Sequence, residues 1–364
     1  MRIIILLVSA IFMMCGTSCS TIEDELQLEA LSENNKESVL NLSRAEQLNK
    51  VFVSLDSLNL VHQGHVSRNW RGFNIRLSDL VGSMVCSQYG GGIGAALGFW
   101  AGGPVGSAIG GFYGMVSGSQ LGYAFTSYYV HKKYDCAGYA VQPPFNYFNC
   151  SIKMGRFYQL YVDGGSHSIT LTTPENNILG NELVDPADPE PVFSIDPIIL
   201  KCDSLGYYHN NMMVKLEDRK YADYGIIDTE RMLDDMIIEM QNQGFDTSQI
   251  LTTESERNGL IMMVTEIGDL AMDLIGASLD EILDVQCMYM KRYNVTEEDL
   301  EIHKNFIGQI ALKCSELSVM EIDSYAEDIN AMLMTLDIPN DMRFALALHA
   351  ERTINSCLCW IDQE

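Results

Sequence analysis

A chain of 364 residues is long enough for two domains, and a hydrophobic content of 47% is that of a folded protein, which excludes disorder as the default. The formal charge of −26 is unevenly spread: residues 1–197 hold 11 Lys+Arg against 17 Asp+Glu, and residues 198–364 hold 12 against 32. So acidic a second half argues against a nucleic-acid partner, which needs Lys and Arg to neutralise phosphates.

Residues 1–18 read as an export signal, with Met1 and Arg2, an apolar core over 3–14, then the small residues Gly16, Thr17 and Ser18 before Cys19. This ending resembles a bacterial lipoprotein signal, in which the cysteine after small residues is lipidated and becomes the new N-terminus. The resemblance implies lipidation at Cys19 and a place in the bacterial cell envelope. The family usually has a Leu-like residue three positions before the cysteine, where this chain has Gly16. Ordinary secretion and a retained membrane anchor are the alternatives. The acidic run Glu23, Asp24, Glu25 resembles the export tags of some surface-exposed lipoproteins, and it serves equally as a solvated tether.

Residues 19–79 are expected to form an acidic helical stalk with a basic approach. Leu26, Leu31, Val39, Leu42 and Leu48 give an imperfect apolar stripe, and Arg68, Arg71 and Arg76 follow. Ser78 or Asp79 then stands where it could cap a helix beginning at Leu80.

From Leu80 to Val130 there is no Asp, Glu, Lys or Arg, and nine glycines recur every fourth residue: Gly90, Gly94, Gly98, Gly102, Gly106, Gly110, Gly114, Gly118 and Gly122. Small residues one turn apart let helix backbones approach closely. On one straight helix the stripe would drift about 40° per four-residue step and wrap nearly once around. Gly102, Gly103 and Pro104 supply a break, so residues 80–133 are expected to fold as a helical hairpin with legs near 80–101 and 105–130. Those legs would reach about 33 and 39 Å, enough for a hydrocarbon core of about 30 Å. Lys132 and Lys133 after the hairpin, and the arginines before it, would put both ends on one side. Two other settings remain open: burial within the protein's own fold, and an oligomerisation element outside lipid. The run from Gly90 to Gly122 resembles the glycine-zipper segments of small bacterial envelope lipoproteins and, more loosely, of membrane-active bacteriocins. That resemblance covers about 50 residues, implies membrane association and self-assembly, and carries over no catalytic residue.

Beyond the hairpin, residues 134–173 turn β-like, with strands expected over 158–162 and 169–172 around Asp163, Gly164 and Gly165. Five of the nine prolines fall within 174–197, marking a linker. Residues 198–364 read as an acidic bundle of six or seven helices. Capping patterns recur there at Thr253 with Glu256, Ser278 with Glu281, Thr296 with Asp299, and Ser318 with Glu321. Met232, Met236 and Met240 share one face and read as core filling, with a partner-binding groove as the alternative. The expected fold is therefore mainly α: a glycine-zipper hairpin, a small β-hairpin region and a C-terminal all-α bundle.

Signatures of chemistry are missing. There is no GxxxxGK[ST], HExxH or GxSxG, and no histidine has a glutamate three residues before it as a di-metal bundle would need. His62-x-x-His65 has no evident further ligand, and His209 beside Asn210 reads as a packing residue. Cys357-x-Cys359 lacks the second pair of a zinc site, so no metal and no cofactor are expected. Cys136 with Cys150 is the best-placed pair for a disulfide. The sequence thus points to a non-enzymatic, lipid-anchored envelope protein whose hairpin engages the lipid bilayer and self-assembles as a homo-oligomer. Its bundle would serve an unidentified protein partner. The alternative is a membrane-active or pore-forming effector assembled through the same glycines.

Overall fold

The computed structural model describes residues 43–62, 64, 70–139, 159–162, 169–172, 205–217, 219–223, 225–245, 247, 250–251 and 253–360, and within these only the backbone of 70–73, 88–113, 340–341, 344 and both strands of the first sheet. Lipidation at Cys19 and the Pro-rich 174–197 fall outside this set. The chain divides into Met1–Ser43 and a compact body, Arg44–Glu364.

Helix α1, Arg44–Val61, buries Leu48, Val51 and Leu55 at three- and four-residue intervals, the spacing of one helical face. Tyr325 OH donates to Asn59 Oδ1 at 2.6 Å and His62 Nε2 pairs with Asp328 Oδ2 at 2.9 Å, which ties its end to the helix Val319–Thr335. The end of the expected stalk is therefore part of the body. Helix α2 runs from Trp70 to Cys136. It begins ten residues before the expected Leu80, so Ser78 and Asp79 are not caps; both lie inside the helix and are buried. A straight helix would separate Ser83 from Ser119 by about 54 Å. Their hydroxyls instead share a hydrogen bond of 2.9 Å, so the two ends of α2 lie side by side. We call 74–87 its first arm and 114–136 its second.

Strands β1 (Gln159–Val162) and β2 (Ile169–Thr172) pair antiparallel, as the alternation around Asp163-Gly164-Gly165 predicts. Helix α3 (Leu205–Glu217) follows, then a minimal antiparallel pair, β3 (Ala222–Asp223) and β4 (Ile226–Ile227), turned by Gly225 at φ 81°.

The rest of the body is a series of three helix pairs. Helices α4 (Thr229–Asn242) and α5 (Glu254–Asp273) form the first, and α6 (Leu279–Lys291) with α7 (Glu297–Ile302) and α8 (Gly308–Glu316) form the second. A π-turn, His303–Ile307, joins α7 to α8. Helices α9 (Val319–Thr335) and α10 (Asn340–Cys359) form the third. With α7 and α8 taken as one, α3 to α10 make seven helices among the described residues, where six or seven were expected.

All four capping residues predicted within 198–364 sit at N-caps, and Thr253 and Ser318 close full reciprocal boxes with Glu256 and Glu321. Each box satisfies two backbone donors that a helix start otherwise leaves open.

The first helices of the first two pairs, with the turns that end them, repeat each other fifty positions apart. Asp228 and Ser278 cap α4 and α6, and Met232, Leu233, Met236 and Met240 are buried like Ile282, Leu283, Gln286 and Met290. Gly244 and Asn294 then take positive φ, 78° and 59°, which lets Phe245 and Val295 turn back onto the Met240 and Met290 carbonyls. Even the surface pairing recurs, Asp234 with Arg257 at 2.5 Å and Asp284 with Lys304 at 2.6 Å.

Candidate functional site

The feature with most functional content is the arrangement of the α2 arms and the helices that enclose them. Gly82 and Gly122 make the arm-to-arm approach. A Cβ on Gly82 would overlap Thr126 Oγ1 and the Gly122 carbonyl, and one on Gly122 would overlap the Gly82 carbonyl and Cys86. Only glycine fits at such a backbone contact. Gly82 was not among the residues singled out in the sequence, although it stands in the same four-residue phase as Gly90 with the small Cys86 between. Following that phase through small residues rather than through glycine alone would have found it. Gly114, Gly118 and Gly122 are buried, whereas Gly90, Gly94, Gly98, Gly102, Gly103, Pro104, Gly106 and Gly110 lie where only the backbone is described. Gly102, Gly103 and Pro104 are helical too, so the break in helical backbone expected there is not seen, although the contact of Ser83 with Ser119 requires the chain to reverse between the two arms.

Three elements enclose the arms. On one side α5 approaches so closely that a Cβ on Gly268 would strike the Tyr129 ring. Asn74 Nδ2 donates to the Leu274 carbonyl at 3.1 Å, Tyr134 OH donates to that of Ala271 at 3.1 Å, and Lys133 pairs with Asp269.

On another side α10 presents polar groups. Arg352 Nη1 donates to Ser83 Oγ at 2.7 Å, and Tyr123 OH donates to the Arg352 carbonyl at 2.7 Å. Arg76 Nη2 donates to the Trp360 carbonyl at 2.8 Å. Asp79 Oδ2 accepts from Ser356 Oγ at 2.5 Å and Trp360 Nε1 at 3.3 Å, and the same indole nitrogen reaches Ser127 Oγ at 3.0 Å. Burial pushes the Asp79 carboxyl well above the usual carboxylate range, against those hydrogen bonds.

Helix α3 lies over the second arm. The Leu205 carbonyl accepts from Gln120 Nε2 at 3.2 Å, and the Leu216 carbonyl accepts from Tyr128 OH at 2.6 Å. The Glu217 carboxylate stands 3.2 Å from Lys132 Nζ and 3.4 Å from His131 Nε2. Burial would raise the Glu217 carboxyl, but His131 and Lys132 outweigh it and hold it below its ordinary value. His209 stacks on Tyr123 with ring centroids 4.0 Å apart, and its Nδ1 pairs with Asn210 Oδ1 at 2.8 Å. Burial pushes the His209 imidazole down to about 4.

The arms are thus core, not surface. Leu80, Val81, Val85, Ala124, Phe125, Tyr128 and Val130 are fully buried, and so is Arg76, expected to lie in a basic approach. The legs drawn from sequence, 33 and 39 Å long, are therefore not free over their whole length. Among the described residues no helix is long and apolar enough to cross a membrane.

The remaining candidates fall away from this site. Met232, Met236 and Met240 are wholly buried, as core filling requires. His62 Nε2 faces Asp328, and His65 lies outside the described residues. Cys136 is an exposed thiol, Cys357 and Cys359 are buried thiols, and Cys150 is outside the described set. Among the described residues, no three His, Cys, Asp or Glu side chains are placed to hold a metal ion. No family model matches the chain, and no curated protein or solved structure is significantly similar to it.

Proposed function

We propose that this chain is a non-enzymatic, lipid-anchored protein of the bacterial envelope, in which α2 is a glycine-packed hairpin turned at Gly102, Gly103 and Pro104. The tip of the hairpin holds to a bilayer, and the C-terminal helix pairs encase its base and present an acidic surface to a protein partner. One observation carries this reading. The arm contacts Gly82–Gly122, Gly82–Thr126, Ser83–Ser119 and Cys86–Gly122 are all centred between residues 101 and 104, where the sequence places its break. A hairpin with that apex puts the middle of a charge-free stretch farthest from the gripped ends.

The grip also limits the reach. Between Ser87 and Gly114 lie 26 residues, and thirteen per leg extend about 20 Å at 1.5 Å per residue. That is short of a hydrocarbon core of about 30 Å, so the reading favoured is a tip that enters one leaflet without crossing. Self-association through the same glycines adds a second hold.

The test begins with the mass of the mature N-terminus, expected to be a lipidated Cys19. A Cys19→Ala variant should then resist alkaline extraction from membranes through the tip alone. With liposomes, stable association without dye release is expected. Quantitative release into the soluble fraction overturns the membrane role of the tip, and leakage at low protein-to-lipid ratio replaces the tether by a pore-forming effector.

A further inference from the structure

Helix α3 is the one enclosing element whose two ends are each held to the second arm of α2 by a titratable side chain. At its start, the His209 ring is stacked on Tyr123, is fully buried, and leaves Nε2 without a hydrogen-bond partner. At its last residue, the Glu217 carboxylate sits between Lys132 and His131. The rest of its hold on the arm is hydrogen bonds between neutral groups, Gln120 and Tyr128 to the Leu205 and Leu216 carbonyls. Toward α10 and α4 it is held by Gly206 packed against Asn355, the Gly206 amide on the Glu351 carboxylate and Lys215 on Glu239.

We propose that α3 is an acid-released clasp over the second arm of α2, in which protonation of His209 and Glu217 frees Leu205–Glu217 from the hairpin. The groups facing His209 offer little to a cation. Tyr123 on α2 gives a ring face, Asn210 already occupies Nδ1, and Glu351 on α10 is engaged with the Gly206 amide and Asn355 Nδ2. Arg352, the next residue on α10, directs Nη1 to Ser83 Oγ. From α4, Gln243 reaches only the Tyr208 carbonyl. Facing Glu217 are His131, Lys132, Tyr128 and, beyond them, Asp135 on the arm, and Cys359 on α10.

Both groups act in the same direction. His209 has a folded value of about 4 against an ordinary 6.5, so its contribution is full above the ordinary value and is lost as pH falls toward 4. Glu217, also held below its ordinary value, contributes above that value and loses its hold as pH falls through the folded one. Acidification therefore loosens both ends of one helix.

The consequence, access of the second arm to a membrane, rests on the function proposed above. The clasp itself is tested without lipid, so the two fail separately. Backbone hydrogen exchange on the full chain, corrected for the intrinsic pH dependence, should show protection of 205–217 falling about thirtyfold between about pH 7.5 and about pH 5 from His209 alone. Protection of α9 should stay constant. His209→Phe keeps an aromatic stack on Tyr123 and cannot be protonated, so it should abolish most of the fall; His209→Met serves the same purpose if phenylalanine cannot be seated. Unchanged protection of 205–217 in the native protein, or an equal fall in the folded variant, overturns the proposal.

Discussion

Two of the three faces that enclose the α2 arms, those of α5 and α10, are built differently. Toward α5 the contact includes close packing and a sulfur pair, with Gly268 under Tyr129 and Cys86 Sγ 4.0 Å from Met263 Sδ. Toward α10 it is polar, with Ser83, Asp79, Ser127 and Arg76 meeting Arg352, Ser356 and Trp360. The difference follows from the glycines. Arms rich in glycine have few side chains to interlock, and apolar burial is non-directional, so it stabilises without fixing how far one helix slides on another. Hydrogen bonds of defined geometry set that position, at the cost of drawing polar groups out of water.

The comparison breaks most severely at the arm-to-arm contact. Gly122→Leu would drive a side chain into the Gly82 carbonyl and Cys86. Because the obstacle is backbone rather than a yielding side chain, we expect a loss beyond about 3 kcal/mol, above the common range for overpacking. Thermal or urea unfolding measures it. Gly103→Leu, at the proposed apex, should cost far less; equal losses would place the close contact elsewhere.

Next comes the apolar side. Met240 and Met290 occupy the same place in the first two helix pairs and are both wholly buried. Truncating either to alanine should cost about 3 kcal/mol in urea denaturation, within the range for buried Met→Ala. A cost at one and none at the other would mean that the fifty-residue likeness is one of sequence and not of packing.

Much of the local structure was legible because it is dictated locally. Thr253 and Ser318 announce helix starts with Glu three residues on, and Asp163-Gly164-Gly165 announces the turn between β1 and β2. What encloses the arms was not legible. A charge-free run with glycine every fourth residue satisfies the demands of lipid and of a protein interior alike. The residues that decide are Ser83, Ser119, Gln120 and Ser127, whose partners lie on helices more than eighty positions away or on the opposite arm. In the sequence they only lower hydropathy; in the fold they are the register marks. The repeat of α4 in α6 is legible as well. Asp228 and Ser278, and then Gly244 and Asn294, stand fifty apart, and only alignment of the caps with the left-handed residues brings the period out.

The polar side is sharpened by the smallest change. Asp79 is fully buried, its Oδ2 is bonded to Ser356 and Trp360, and its Oδ1 has no partner. Asp79→Asn can keep the acceptor while removing the charge, so the net effect near neutral pH should be under about 1 kcal/mol. Its sign should depend on pH. A carboxyl whose folded value lies above its ordinary 3.8 favours folding most when protonated, and that advantage erodes as pH rises from the ordinary value through the folded one. The native protein should therefore gain on the variant as pH falls and lose to it as pH rises, read by urea denaturation across that interval. A pH-independent difference would mean that Asp79 acts through shape alone. A crossing would show that the α10 face keeps its register with hydrogen bonds while bearing a charge that weakens it.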